Sequence, residues 1–483
     1  MPYPKPSKKG HRDDKTKSPR STEPPRSPEP NPKPSKKGHR DDKTKSPRST
    51  EPPKSPEPNP TAKYLPVPRD HPICPQWPSL LREIVRKIDH DGVCIITCVL
   101  QKKDRDTGLT TTILVVCNSP KPPSHRYTSI AKIRKLLDEN SLSRVSVEFV
   151  PGDFTRGASG IHEEQLDRRV LHQPSMISQS LAPRGMYGSG TLGGFVEIKL
   201  PGQSTYKTLA LTCFHCVNPS EKDLDTDLVE RVRCWRENGI RPDEHFRREL
   251  RMEHPSSMAL DDRISSLRGD IEVIETSRTA ARRYTGMKDT LSDLNDFLDD
   301  IEAFKNDNRA AFGHVYAASG FRTTPKVSGI TMNLDWALIE VPDNRIGQNV
   351  TPDGHDLKGA PVPEDTEGMQ VFIHGQRSGY RKGIKHPLES ATLTHAIIDG
   401  KSIERVTYEH TIHPAHTPVF SHEGDSGSLV FTASHVVIGM LFAGGLKYSF
   451  SYFTPIEVLF EDIKEVTKAT DVRLKMNHSS FSS

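Results

Sequence analysis

Ser421-His422-Glu423-Gly424-Asp425-Ser426-Gly427-Ser428-Leu429-Val430-Phe431 is the stretch from which the rest of this chain is read. A serine between glycines, preceded by Gly-Asp and followed by an apolar run, puts one hydroxyl on a tight turn with backbone N–H groups facing the same spot. Gly424 has no side chain to block an approaching carbonyl, and the N–H groups of Gly424 and Ser426 are placed to bind an oxyanion. By composition alone the run also suits an ordinary turn.

Two other segments separate these alternatives. Leu209-Ala210-Leu211-Thr212-Cys213-Phe214-His215-Cys216-Val217 is an apolar strand ending in a histidine, and Met332-Asn333-Leu334-Asp335-Trp336-Ala337-Leu338-Ile339-Glu340-Val341 opens a strand with an aspartate. Together the three segments resemble the trypsin-like (chymotrypsin-fold) serine proteases, with their Gly-Asp-Ser-Gly nucleophile motif, their strand delivering a catalytic histidine and their Asp-Ile-Ala-Leu segment. The order His215, Asp335, Ser426 is the chymotrypsin order.

The resemblance implies a mainly β chain with a chymotrypsin-like double β-barrel over roughly residues 185–470. It implies a serine endopeptidase acting on protein or peptide substrates through an acyl-enzyme, without metal or cofactor. Ser426 is then the nucleophile, His215 its base, Asp335 the group orienting the imidazole, and the Gly424 and Ser426 amides the oxyanion hole. Phe442, Ala443 and Gly444 would lie on the strand that pairs with substrate. Phe420, six residues before the nucleophile, would floor the specificity pocket with Gly444 and Ser451 on its wall, favouring a small neutral or apolar side chain. In secreted members a freshly cut amino terminus pairs with the aspartate before the nucleophile. This chain lacks an Ile-Val-Gly-Gly start, so Asp425 needs either another partner or a cut elsewhere. The rival reading is a catalytically silent scaffold of the same fold that acts as a protein-interaction module.

Composition divides the chain. Residues 5–32 repeat as 33–60 with one change, Arg26 against Lys54, and the first 60 residues hold 16 of the 40 prolines. So little apolar surface cannot offset the entropy of ordering, so residues 1–62 read as a disordered tail. That tail carries 16 Lys and Arg against 8 Asp and Glu, whereas the remainder carries 51 against 55. With no aromatic beyond Tyr3 to stack on bases, a solvated linker is favoured over a nucleic-acid contact. The chain has neither a signal-like apolar start nor a run long enough to cross a membrane, and its seven cysteines do not read as a disulfide framework. An intracellular protein, cytoplasmic or nuclear, is expected. Cys213, His215 and Cys216 lack a second ligand pair nearby in sequence, so the thiols read as small buried hydrophobes.

Residues 63–151 read as a small α/β domain: an amphipathic helix through Leu80, Leu81, Ile84, Val85 and Ile88, a hairpin of Val93–Leu100 with Thr110–Cys117, a helix through Ile130, Ile133, Leu136 and Leu137, and a strand at Val145, Val147 and Phe149. Docking module and packed scaffold both fit. Residues 152–184 read as a linker. Between His215 and Asp335, residues 219–310 read as a helical insertion, with apolar residues from Leu260 to Ile274 and from Leu291 to Ile301 at helical spacing. Self-packing is favoured there over a role in binding a protein partner. The histidines at 374, 410, 413 and 416 lack helical spacing and acidic companions, so no metal site is assigned to them. Val458–Thr467 reads as a closing helix, and residues 471–483 as a disordered tail. Oligomeric state is not legible.

Overall fold

The computed structural model describes residues 63–477 except 103–107, 119–122, 157–165, 173, 187, 222–223, 225, 279–285, 326–329, 364–365, 399–400 and 446–448. The repeats expected to be disordered, and the last six residues, lie outside the described residues. All seven cysteines are free thiols, and no described helix is long and apolar enough to cross a membrane.

The amino-terminal elements are β1 (Tyr64–Leu65), α1 (Trp77–Lys87), β2 (Val93–Lys102), β3 (Leu109–Cys117), α2 (Pro123–Glu139) and β4 (Ser146–Pro151). β2 and β3 form a hairpin, and β3 and β4 run parallel, with α2 supplying the crossover that a parallel pair needs. Both faces of this small sheet are covered. Ile96, Cys98, Ile113 and Val115 pack with Trp77, Leu80, Ile84 and Leu137 on the helical side. Ile95, Val99, Leu114 and Val116 join the core of the remaining chain. The alternation follows from side chains pointing to opposite faces along a strand, and it explains why these strands read as nearly continuous apolar runs.

The next strands are β5 (Ser180–Pro183), β6 (Gly190–Thr191), β7 (Gly194–Lys199), β8 (Lys207–Thr212), β9 (Arg251–Glu253), β10 (Ala311–Ala318) and β11 (Ala337–Glu340), with α3 (Thr226–Asn238), α4 (Ser257–Arg278) and α5 (Gly286–Asn306) between them. They make one sheet in the order β7-β8-β11-β10-β9-β5, with β6 beyond β5. The last elements are β12 (Gln370–Gly375), β13 (Gly379–Lys385), β14 (Ser390–Ile398), β15 (Lys401–Pro414), β16 (Leu429–Thr432), β17 (Val437–Gly445), β18 (Phe450–Pro455), α6 (Ile456–Thr467) and β19 (Asp471–Leu474). Here β13-β12-β16-β17-β18-β15 closes on itself through the β13–β15 pairing. With each set of six strands numbered by chain order, both follow one cyclic order, 1-2-3-6-5-4, open between the first two strands in one sheet and closed in the other. The fold is mainly β, with the two-sheet arrangement of chymotrypsin-like chains.

Several boundaries differ from the sequence reading. β5 lies in the stretch read as a linker, and β9, within residues 219–310, is a member of the first sheet between β10 and β5. That interval is therefore not wholly an insertion; both strands are too short to show an apolar alternation. α4 and α5 run antiparallel, with Asp261 paired to Lys305 and Arg268 to Glu302, and they pack on Leu166, Val170 and Leu171. Asp471–Leu474, read as part of the tail, pairs with β7 and buries Val472 and Leu474. Residues 63–151 do more than pack alongside: Ile95 and Ile96 of β2 pair with Thr392 and Ala391 of β14, so one sheet runs from the closed barrel into the amino-terminal unit.

Candidate active site

The site lies where three loops meet. β8 and β11 are hydrogen-bonded neighbours, with Thr212 opposite Ala337, so the turn just after β8 and the residues just before β11 are adjacent. In that turn, Phe214 N–H donates to the Asp335 carbonyl at 3.2 Å. His215 N–H donates to Asp335 Oδ1 at 3.0 Å, and the His215 ring bonds through Nδ1 to Oδ2 at 2.8 Å. Backbone and side chain thus hold one carboxylate, which is 1% exposed.

Burial acts to raise the Asp335 pKa, but the facing His215 and then Arg156 outweigh it and hold the carboxyl below its ordinary value. For His215, burial favours the neutral ring, while Cys216 and Asp335 favour the charged one and prevail, so its pKa is raised. The His215 Nε2 is buried and has no hydrogen-bond partner among the described residues.

The third loop carries Ser426. The first sheet grips it: Thr191 N–H donates to the Ser426 carbonyl at 2.8 Å, and Thr191 Oγ1 to the Gly424 carbonyl at 2.9 Å. Gln376 Nε2 donates to the same Gly424 carbonyl at 2.9 Å. Gly424 and Gly427 have φ of +99° and +98°, a region where side chains are strained. A Cβ on Gly427 would also lie 2.3 Å from the Thr191 carbonyl. Gly424 N–H donates to no described acceptor. Ser426 Oγ donates to the Phe442 carbonyl at 3.4 Å.

Asp425, for which the sequence left two alternatives open, has partners within the chain. Its Oδ1 accepts from Arg377 N–H at 2.9 Å and Ser378 N–H at 3.0 Å, and its Oδ2 from His422 N–H at 2.8 Å. Gly375 makes room, since a Cβ there would lie 2.2 Å from Oδ1. The turn between β12 and β13 therefore supplies two of the three amides that bind this carboxylate.

The pocket assignments need one correction. Phe420 is fully buried in the barrel core with Val371, Ile373, Ile412, Val430 and Phe453, and lines no space beside Ser426. Ser421, the next residue, lines the cavity with His422, Glu423, Ala443 and Gly444. Ser421 Oγ and Ser451 Oγ are hydrogen-bonded at 2.7 Å, so Ser451 sits behind Ser421, while Gly444 lines the cavity itself. Phe442 is buried and contributes its carbonyl beside Ser426. The cavity holds about 20 Å³, room for about one water molecule.

Sequence reasoning missed several residues that the structure brings here. Thr155, from the supposed linker, forms an antiparallel bridge with Gly444. Arg156 bonds to Asn333 and lies 3.5 Å from Asp335 Oδ2. Buried Glu409 accepts from Asn333 N–H at 3.1 Å and from its Nδ2 at 2.7 Å, steadying the segment that carries Asp335. None of these has a local motif; only long-range pairing assembles them. Donor atoms of Cys213, His215 and Cys216 lie within 4.8 Å of one another. The two thiols donate to the Leu441 and Ser426 carbonyls, and the His215 Nδ1 is engaged by Asp335.

No family model matches the chain, and no curated protein matches its sequence. Among solved structures it is similar to Protease A of Thermobifida fusca at 12% identity, covering 62% of this chain and 98% of that one with a TM-score of 0.29. It is similar to a glutamic-acid-specific serine protease at 11% identity, covering 62% and 100% with a TM-score of 0.30, and to the Cellulomonas bogoriensis chymotrypsin at 15%, covering 34% and 76% with a TM-score of 0.22. Likeness at these values assigns no family; the reading of the fold stands on this chain's own strand order.

Proposed function

We propose that this chain is a serine endopeptidase. Ser426 attacks the scissile carbonyl, His215 takes its proton and returns it to the leaving amine, and Asp335 holds the imidazole in the required tautomer. The Gly424 and Ser426 amides stabilise the oxyanion, an interaction worth about 3 kcal/mol per donor in such sites. The observation that carries the reading is the doubly hydrogen-bonded His215–Asp335 pair beside a serine loop whose Asp425 is tied down by three backbone amides. Those amides supply what activation cleavage supplies in secreted trypsin-like enzymes, so the oxyanion loop needs no new amino terminus.

A catalytically silent scaffold is the second reading, and the His215 Nε2, without a hydrogen-bond partner among the described residues, favours it; hydrogen bonds between catalytic groups are often long before substrate binds. Labelling with a fluorophosphonate probe separates the two. Covalent modification of Ser426, abolished in Ser426→Ala and nearly so in His215→Ala, supports the enzyme. A wild-type chain that never labels, even after residues 153–156 are displaced, supports the scaffold.

A further inference from the structure

β16 pairs with β17 as far as Met440, and Leu441 still exchanges backbone hydrogen bonds with Gly427 and Ser428, beyond which the chain turns away through the Ser426 loop. Phe442–Gly445 thus has one edge that no described barrel strand covers; on the other edge Ala443–Gly445 pair with β18 after a bulge at Phe442. Thr155 lies on the uncovered edge. Gly444 N–H donates to the Thr155 carbonyl at 3.3 Å, and Thr155 Oγ1 donates to the Gly444 carbonyl at 2.9 Å. In an antiparallel pair with this register, the residue two beyond the one facing Gly444 falls opposite Phe442, whose carbonyl accepts from Ser426 Oγ. A peptide continuing in this direction crosses the nucleophile.

The flanking side chains are held as firmly as the backbone. The Phe154 ring packs against Tyr452 at 5.5 Å and Phe442 at 6.3 Å between centroids. The Arg156 guanidinium lies over the Phe321 ring at 4.8 Å, bonds to Asn333 and faces the buried Asp335. Thr155 itself lines the small cavity beside Ser426. An aromatic site, a backbone edge and an acidic site therefore accept three consecutive residues of one extended strand.

We infer that Asp153–Arg156 is an intramolecular occupant of the peptide-binding edge of β17, and that this edge takes extended peptides with an aromatic residue before, and a basic residue after, the one paired with Gly444. The inference relies on the endopeptidase reading for the role of Ser426, but not for the occupancy. In the resting chain the occupant excludes other peptides from the edge and keeps a cation against the carboxylate that orients His215.

The test compares full-length wild-type protein with Phe154→Ala and Arg156→Ala, each first checked for a cooperative melt; because Arg156 also faces Asp335, exchange at Gly444 is the deciding readout for Arg156→Ala, which remains informative should Phe154→Ala fail to fold. Hydrogen exchange at the Gly444 amide and the rate of fluorophosphonate labelling of Ser426 are both read. Exchange and labelling should each rise about tenfold or more, since only the open fraction of the wild-type chain reacts. Added Asp-Phe-Thr-Arg peptide should slow exchange again. Faster exchange with no labelling of any form upholds the occupancy and removes the endopeptidase. Unchanged exchange at Gly444 in the folded variants overturns the occupancy, whatever the labelling does, and a peptide that restores no protection overturns the ligand class.

Discussion

Asp425→Asn tests how the loop carrying Ser426 is held. The Asp425 carboxylate is fully buried and accepts three backbone N–H groups, from Arg377, Ser378 and His422. Bonds to a charged acceptor contribute about 1.5–3 kcal/mol each and neutral ones about 1, so loss of charge alone costs roughly 3 kcal/mol over the set. An amide also has only one acceptor atom. If its oxygen stays with Arg377 and Ser378, its NH₂ opposes the His422 N–H, leaving a buried donor unpaired at a further cost of about 1–3 kcal/mol. The sum, about 4–6 kcal/mol, is comparable with the whole stability of a modest domain. It appears either as global destabilisation in a urea melt or as release of the 422–427 loop alone. Probe labelling of Ser426 distinguishes these outcomes, because loop release abolishes labelling while the melt stays near wild type. A variant less than about 1 kcal/mol below wild type that labels at the wild-type rate would refute the reasoning that these amides order the site.

Three other outcomes follow from the same geometry. Because Cys216 and Asp335 raise the His215 pKa against the opposing effect of burial, and only the neutral ring serves as base, labelling should increase with pH to an inflection above the ~6.5 of a free imidazole. Asp335→Asn should lower both the inflection and the plateau; an inflection unmoved by that change would show that Asp335 does not act on His215. Burial pushes Glu409 up to about 7, its hydrogen bonds to Thr407 and Asn333 only partly opposing this. The folded state therefore binds the proton more tightly than the unfolded one, so this stabilisation is full below about pH 4.5 and is lost as pH rises through 7, a span worth roughly 3 kcal/mol. Urea melts at pH 5 and 8 should show that loss, Glu409→Gln should flatten it, and an equal slope in the variant would assign it to other groups. With Ser421 and Ser451 beside the cavity, a peptide library should favour small neutral residues at the bond cut, and Ser421→Asp should shift the preference to Lys or Arg. A wild-type preference for basic residues would contradict this placement.

What was legible in the sequence is what short-range chemistry encodes. The glycines around Ser426, the apolar strand ending at Thr212 before His215 and the strand opening after Asp335 each carry a local pattern, because φ > 0 turns and half-buried strands restrict residue type within a few positions. The apolar runs at Val93–Leu100 and Thr110–Cys117 identified their hairpin, and helical spacing identified α1, α2, α4, α5 and α6. The remainder depends on pairing between distant segments. β5 and β9 are too short for a period to show, and Asp471–Leu474 becomes a strand only because β7 offers it an edge. That β2 adds to β14 rather than docking alone could not be read from either segment, since backbone hydrogen bonds are blind to side-chain identity. The same is true at the site. Ser421 rather than its neighbour Phe420 lines the cavity beside Ser426, Asp425 finds two of its three partners in a turn some fifty residues earlier, and Thr155 reaches Gly444 from a stretch whose composition reads as linker. Local sequence determined which residues are chemically equipped to act; only the tertiary structure decided which of them meet, because the edges and cavities that bring them together belong to the assembled sheets.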